Sequence, residues 1–234
     1  MPITKPVAEL RRMANPAKAK ILQGFFKTGK GEYGAGDIFW GVPVPEERRL
    51  AKKYWQELSL GDLDKLLRSK VHEQRLLALL VEVMQYQAGD AVAKNRIYKH
   101  YLARVTCINN WDLVDLSAPK IAGEHLLNRN RKILYTLARS KNLWTRRIAI
   151  ISTFAFIKHR QARDTLAIAK LLLKDKHDLI HKACGWMLRE TGKRCGQKTL
   201  CKFLDQYHAN MPRTMLRYAI ERLPRPKQLL YLKR

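Results

Sequence analysis

Apolar residues recur along this chain at helical rather than strand spacing. The segments Gln74–Tyr86 and Leu143–Ile157 place apolar side chains three and four residues apart, whereas sustained alternation of apolar and polar residues is sparse. The first pattern is typical of amphipathic or buried helices, and the second would have indicated strands. The sequence therefore predicts an all-α fold.

Five of the predicted helical segments begin at a nearly constant interval. The offsets between them are 36, 36, 35 and 35 residues, and the segments start near Arg75, Trp111, Arg147, Lys182 and Arg217. This period fits a helix pair with its turns. Amphipathic partner helices are expected in between, for example over Asn95–Val105 and Thr165–Leu173.

Repeated helix pairs of this size must stack on their neighbours to bury their apolar faces. We therefore expect an α-solenoid of HEAT-like helix-pair repeats, forming a single domain over residues 1–234. Its N-terminal helices and a glycine-rich loop would occupy about residues 1–48, and the repeats about residues 49–234.

The segment Thr28–Pro45 interrupts the helical pattern with glycine, proline and aromatic residues. Because Tyr33, Phe39 and Trp40 need burial or a partner, we expect a structured loop. Residues 29–34 match the dinucleotide-binding pattern GxGxxG, but no predicted strand precedes them, so the match lacks its structural context. The glycines are instead expected to allow left-handed turns around an aromatic anchor.

The charge of the chain indicates a polyanionic partner. Lys and Arg number 46 against 20 Asp and Glu, which gives a net charge of +26. Such self-repulsion favours binding to an anion, and nucleic acid is the preferred interpretation, with an anionic membrane surface as an alternative. A cationic band on the concave side is expected from residues at or near the starts of the inner helices: Arg75, Arg146, Arg147, Lys182, Arg189, Lys193, Arg213 and Arg217.

The sequence also bears on cellular location, disulfide bonds and metal binding. The N-terminus lacks the apolar core of a signal peptide, and no stretch approaches the roughly 20 apolar residues of a membrane span, so a cytoplasmic location is expected. The four cysteines form no CxxC pair and are expected to be reduced. His177, His181 and Cys184 have a spacing able to hold zinc, but surface or capping histidines are commoner, so neither metal nor cofactor is expected.

Trp111 and Asp115 stand four residues apart in the segment NNWDLVD, Asn109–Asp115, and would share one face of a helix. Tryptophans recur in the following repeats as Trp144 and Trp186. Any one of them is most simply explained as a core residue. An acid on a surface that binds phosphates weakens that binding, however, so it needs another purpose, such as stabilising a developing positive charge.

At these residues the chain resembles the AlkD-type alkylpurine DNA glycosylases, which are HEAT-like repeat proteins. The resemblance covers almost the whole chain. It is carried by four segments, GEYGAGDIFWGVPVPEER (Gly31–Arg48), NNWDLVD (Asn109–Asp115), LWTRR (Leu143–Arg147) and KACGWMLRE (Lys182–Glu190). It implies excision of cationic N3- and N7-alkylated purines from duplex DNA by a monomeric, monofunctional enzyme that recognises the lesion from the backbone side.

The resemblance also implies roles for individual residues. Asp115 matches the catalytic carboxylate, Trp111 and Trp186 the aromatics that face the sugar, and Arg147 the basic residue beside the backbone of the lesion. Phe26 matches, by position, an aromatic near the lesion.

Two other functions are also compatible with the amino-acid sequence. One is a non-catalytic HEAT-like repeat protein that binds DNA or structured RNA through phosphates. The other is a protein-binding solenoid, because such repeats commonly hold peptides.

Overall fold

The computed structural model describes residues 3–233, and these are helical with connecting turns. In place of a strand, this part of the chain has a single isolated bridge, between Ile38 and Val71. The prediction of an all-α fold is confirmed. No helix within residues 3–233 is both long enough and apolar enough to cross a membrane.

The helices group into two compact units, Met1–Ser117 and Ala118–Arg234. The prediction of one repeat domain with a concave cationic face stays a prediction. Unit 1 contains a 3-10 turn at Val105–Cys107 and seven α-helices within its described residues: α1 Thr4–Arg12, α2 Pro16–Phe25, α3 Val44–Tyr54, α4 Leu60–Leu67, α5 His72–Ala88, α6 Ala91–Ala103 and α7 Trp111–Ser117.

Helix α5 is the centre of unit 1. It contacts α3, α4, α6 and α7, and apolar side chains from Leu76 to Val83 are buried along it. A helix that is apolar on nearly all sides needs such enclosure. The helix before it is fixed at its start by a capping box, in which Ser59 accepts from the Asp62 amide and the Asp62 carboxylate accepts from the Ser59 amide.

Unit 2 begins with a π-helical turn, Pro119–Gly123, and has a 3-10 turn at His208–Asn210. Its α-helices within the described part of the chain are α8 Glu124–Leu126, α9 Lys132–Leu137, α10 Leu143–Ser152, α11 Phe154–Lys158, α12 Arg163–Leu171, α13 Asp178–Arg194, α14 Gln197–Tyr207, α15 Arg213–Ile220 and α16 Arg225–Leu232.

The predicted repeat interval is present in unit 2, where α10, α13 and α15 begin 35 residues apart. Helix α13 packs against both of the others. Gly185 allows the close approach of α13 to α15, because a Cβ atom there would lie 2.6 Å from the Met215 carbonyl oxygen. The two partner helices predicted from residues 95 and 165 are α6 and α12, and each begins and ends earlier than predicted.

Candidate functional site

Trp111 and Asp115 lie on the same half-buried face of helix α7. The helix begins at Trp111, whose amide donates to the Asn110 side-chain oxygen over 2.8 Å. Asp112, Leu113 and Val114 are buried, whereas Trp111 and Asp115 remain partly accessible. Because residues four apart on a helix are neighbours, the aromatic ring and the carboxylate are presented together.

Two phenylalanines at the end of α2 surround the Trp111 ring. Phe26 stacks on it with the ring centroids 5.0 Å apart and the planes at 9°, and Phe25 meets it edge-on at 5.8 Å. Phe26 is 7% exposed, but Phe25 is 62% exposed. The accessible aromatic beside Trp111 is therefore Phe25, and Phe26, the residue selected from the sequence, packs beneath the site.

The glycine-rich loop lies against this aromatic cluster. Phe39 from the loop stacks on Phe26 at 4.9 Å and on His72 at 4.5 Å. Gly34 lies so close to the end of α2 that a Cβ atom would come within 2.4 Å of the Phe26 carbonyl oxygen. Gly41 has a φ of +80°. Of the glycines in residues 29–34, for which left-handed turns were expected, Gly31 has a left-handed φ of +83°, whereas Gly29 and Gly34 do not.

A buried polar cluster lies under the aromatic rings and consists of Asp37, His72, Arg75 and Asp112. The His72 ring contacts a carboxylate at each nitrogen, with Nε2 at 2.8 Å from Asp112 and Nδ1 at 3.4 Å from Asp37. Arg75 forms an ion pair with Asp37 at 2.7 Å. All four residues are at most 7% exposed. The cluster thus joins the loop, α5 and α7.

The surroundings of His72 and Asp37 favour the charged forms of these two groups. Burial opposes a charged imidazole, but the charge of Asp112 and the hydrogen bonds to Asp112 and Asp37 outweigh it and raise the pKa of His72. Burial likewise acts to raise the pKa of Asp37, yet the hydrogen bond from His72 and the charge of Arg75 lower that pKa overall.

Two buried glutamates lie near the same cluster. The Glu73 carboxylate accepts from the backbone amides of Trp40, Gly41 and Val42, and so ties the end of the loop to α5. Glu47 on α3 is 1% exposed. Burial, with the charges of Glu73 and Asp112, raises the pKa of Glu47 well above its ordinary value.

The residues of unit 2 that were predicted from the sequence differ in accessibility. Trp186 on α13 is half-buried and lies 5.9 Å from the Phe154 ring. Arg147 on α10 is only 5% exposed, and its Nη1 donates to the Leu179 carbonyl oxygen over 2.5 Å. Little of the Arg147 guanidinium is therefore accessible to a ligand.

The remaining predicted DNA contacts fall into two classes. Three are held in ion pairs within unit 2: Arg146 with Asp175 at 2.6 Å, Lys182 with Asp178 at 2.8 Å, and Arg189 with Glu221. Arg217, by contrast, is exposed on α15. Arg147, Lys182 and Arg217 each occupy the fifth position of their helix, so the register predicted from the repeat is present although the exposure differs.

The histidine and cysteine group considered for zinc has other roles. His177 Nδ1 accepts from the Leu179 amide and caps α13, and His181 Nε2 donates to the Asp175 carbonyl oxygen. Cys184 is buried, which raises the pKa of its thiol. Within residues 3–233, no group of three or more His, Cys, Asp and Glu side chains is arranged to hold a metal ion.

Sequence reasoning missed Phe25, Asp37, His72 and Asp112. A signal for His72 was present in the segment HEQR, residues 72–75, because its polar side chains directly precede the apolar run Leu76–Val81 on the same helix. Asp37, which contacts His72, is 35 residues away in the loop, so the helical periodicity could not reveal this contact.

Comparisons with known proteins agree with this architecture. A solved structure described as a predicted DNA alkylation repair enzyme from Enterococcus faecalis matches with a TM-score of 0.71 and 17% sequence identity, over 91% of this chain and 98% of that one. A search of the curated proteins found no match. The family model for DNA alkylation repair enzymes matches residues 7–223. The chain therefore belongs to the family of DNA alkylation repair enzymes.

Proposed function

We propose that this protein is a DNA glycosylase that excises cationic N3- and N7-alkylated purines from duplex DNA. Membership of the DNA alkylation repair family supports a DNA substrate. The observation that carries the proposal is the half-buried pair on α7, where the Asp115 carboxylate and the Trp111 ring share one accessible face.

The chemistry requires little from the protein beyond charge stabilisation. A purine that is already cationic through alkylation is a good leaving group and needs no general acid. As the glycosidic bond breaks, the deoxyribose acquires oxocarbenium character, which a positioned carboxylate stabilises. Asp115 would supply that negative charge and orient the attacking water, and the electron-rich face of Trp111 would favour the same cationic sugar.

Several other residues complete the proposal. Phe25 extends the accessible aromatic surface next to Trp111. Trp186 would be a second aromatic that faces the sugar, as the family resemblance implies. Because no lysine attacks the sugar in this mechanism, the enzyme would be monofunctional and leave an intact abasic site.

For DNA binding, the proposal relies on accessible cations. Arg217 is exposed, whereas the guanidinium of Arg147 is almost fully buried, so Arg217 is the stronger candidate for a phosphate contact. A net charge of +26 provides the long-range attraction. Binding should therefore weaken steeply as the salt concentration rises.

The decisive experiment compares wild type with Asp115→Asn on methylated duplex DNA, under single-turnover conditions with protein in excess. Loss of one preorganised charge typically slows the chemical step by about 10²- to 10³-fold, and we expect a loss of that order. The matched control is Glu57→Gln, which removes a carboxylate from an exposed position of the same unit and should leave the rate unchanged.

Equal base release by wild type and Asp115→Asn would contradict the proposed role of Asp115. Salt-sensitive binding without release from any methylated duplex would instead favour a non-catalytic protein that binds nucleic acid through phosphates. Duplex binding that does not weaken as the salt concentration rises would argue against a surface that binds phosphates. It would favour a protein-binding solenoid.

A further inference from the structure

We propose that His72 is a positioning residue for the site on α7, acting as a buried clamp that holds the first turn of this helix to the glycine-rich loop. The inference rests on the proposed function, because the residues it positions are Trp111 and Asp115. His72 itself is 2% exposed and so is placed to act through its neighbours rather than on DNA.

The first contact route runs through hydrogen bonds. His72 is the first residue of α5, and its Nε2 lies 2.8 Å from Oδ2 of Asp112, the second residue of α7. Its Nδ1 lies 3.4 Å from Oδ2 of Asp37 in the loop. An ionised carboxylate only accepts hydrogen bonds, so both ring nitrogens must carry a proton for both bonds to form. The clamp is complete only when the imidazole is charged.

The second route runs through aromatic contacts. The Phe26 ring lies 5.1 Å from the His72 ring and 5.0 Å from the Trp111 ring, on which it stacks at 9°. Phe39 covers His72 at 4.5 Å. Movement of the imidazole is therefore transmitted to the Trp111 ring as well as to the backbone of α7.

The loop side of the clamp is itself fixed, so the clamp has a firm base. Arg75 pairs with Asp37 at 2.7 Å, and the His72 amide donates to the Ile38 carbonyl oxygen over 2.8 Å. The Asn110 amide group, one residue before α7, also approaches Asp37 at 3.5 Å. Both the loop and the start of α7 thus converge on one carboxylate and one imidazole.

This arrangement gives a definite pH dependence. The charged groups that face His72 are Asp37 from the loop, Asp112 from α7 and Arg75 from its own helix, and Glu47 and Glu73 lie behind them. The pKa of His72 is raised above its ordinary value of 6.5. The charged clamp is therefore complete below that value and is lost as the pH rises through the pKa of the folded protein.

The activity test compares wild type with His72→Gln, whose side-chain amide can donate to only one of the two carboxylates and cannot be charged. Small displacements of a reacting group can cost about 100-fold in rate, and we expect the single-turnover excision rate to fall by at least about 10-fold. Affinity for unmodified duplex should change less than about twofold, because phosphate contacts are untouched. The wild-type rate should decline at alkaline pH, and this decline should be absent in His72→Gln. His159→Gln, at an exposed position, is the matched control.

A second measurement does not depend on activity. The indole N–H signals of the five tryptophans are recorded by NMR across the pH range, with Trp111 assigned from Trp111→Phe. We expect the Trp111 signal of wild type to titrate with the same pKa as the His72 ring. Because this needs no His72 variant, it tests the clamp even if His72→Gln fails to fold.

The two measurements separate the possible failures. Coupled titration of Trp111 and His72 in a protein that releases no base would support the clamp and reject the glycosylase. If the Trp111 signal does not shift as His72 titrates, the clamp is overturned. The same holds if His72→Gln has the excision rate and pH profile of wild type.

Discussion

The Glu73 carboxylate offers the sharpest test of how the loop is held. It is 1% exposed and accepts from the amides of Gly41 at 2.7 Å, Trp40 at 2.9 Å and Val42 at 3.3 Å. Its second oxygen also lies 3.0 Å from the Trp40 amide nitrogen. Glu73→Gln keeps the size of the side chain but removes the charge and replaces one acceptor with a donor.

The expected cost follows from these contacts. A hydrogen bond to a charged group contributes about 1 kcal/mol more than a neutral one, and two of the bonds are short. The new NH2 group would also oppose the Trp40 N–H. Burying an amide is less costly than burying a carboxylate, which offsets part of the loss. We expect Glu73→Gln to lower the free energy of unfolding by about 2 kcal/mol, and Glu73→Ala by at least about 4 kcal/mol because three amides lose their acceptor.

Urea unfolding at neutral pH, followed by tryptophan fluorescence and far-ultraviolet circular dichroism, measures these changes. The control is Glu57→Gln, an exposed position where the change should stay within about 0.5 kcal/mol. If Glu73→Gln unfolds at the same urea concentration as wild type, the carboxylate does not hold the loop, and the reasoning from these hydrogen bonds is refuted.

Three further predictions follow from the same unit and from unit 2. Gly41→Ala places a Cβ atom 2.2 Å from the Asn15 carbonyl oxygen at a φ of +80° and should lower the melting temperature, whereas Gly24→Ala, with open space around it, should not; equal melting temperatures would contradict this. The pKa of Glu47 is raised above its ordinary 4.5, so part of the free energy of unfolding of wild type should be lost as the pH rises through the pKa of the folded protein. In urea titrations Glu47→Gln should therefore be as stable as wild type in acid and more stable than wild type at alkaline pH. Parallel pH curves for the two proteins would refute this. Arg147→Ala should lower the free energy of unfolding by about 2 kcal/mol or more, because a buried hydrogen bond is lost. Arg217→Ala should leave that free energy within about 0.5 kcal/mol of wild type, but should weaken duplex binding and reduce its salt slope by about 1. The reverse pattern in unfolding and binding titrations would show that burial misidentifies the phosphate contact.

The helical class and the repeat interval could be predicted because both depend on the spacing of residues along the chain. Residues three and four apart share a helix face wherever the chain is helical, so Trp111 and Asp115 could be paired from the sequence alone. The equivalent positions of Arg147, Lys182 and Arg217 follow in the same way. What spacing cannot supply is the partner that a side chain meets.

The exposure of individual residues depended on such partners. Phe26 directly follows the last residue of α2, and only the approach of Trp111 and Phe39 determines that it, and not Phe25, is buried. Arg147 is buried beside a carbonyl oxygen 32 residues further along the chain. The clamp at His72 joins residues 35 and 40 positions away, which no local pattern records.

The buried cluster of Asp37, His72, Arg75 and Asp112 is electrically balanced, with two negative and two positive groups when His72 is protonated. The attraction of the molecule for a polyanion must then originate outside this cluster, at accessible cations that mobile ions screen, whereas burial shields the cluster from those ions. The positioning of Trp111 and Asp115 by this cluster should accordingly be less sensitive to ionic strength than the capture of DNA. Added salt should therefore raise the dissociation constant by a larger factor than it lowers the rate constant at saturating protein.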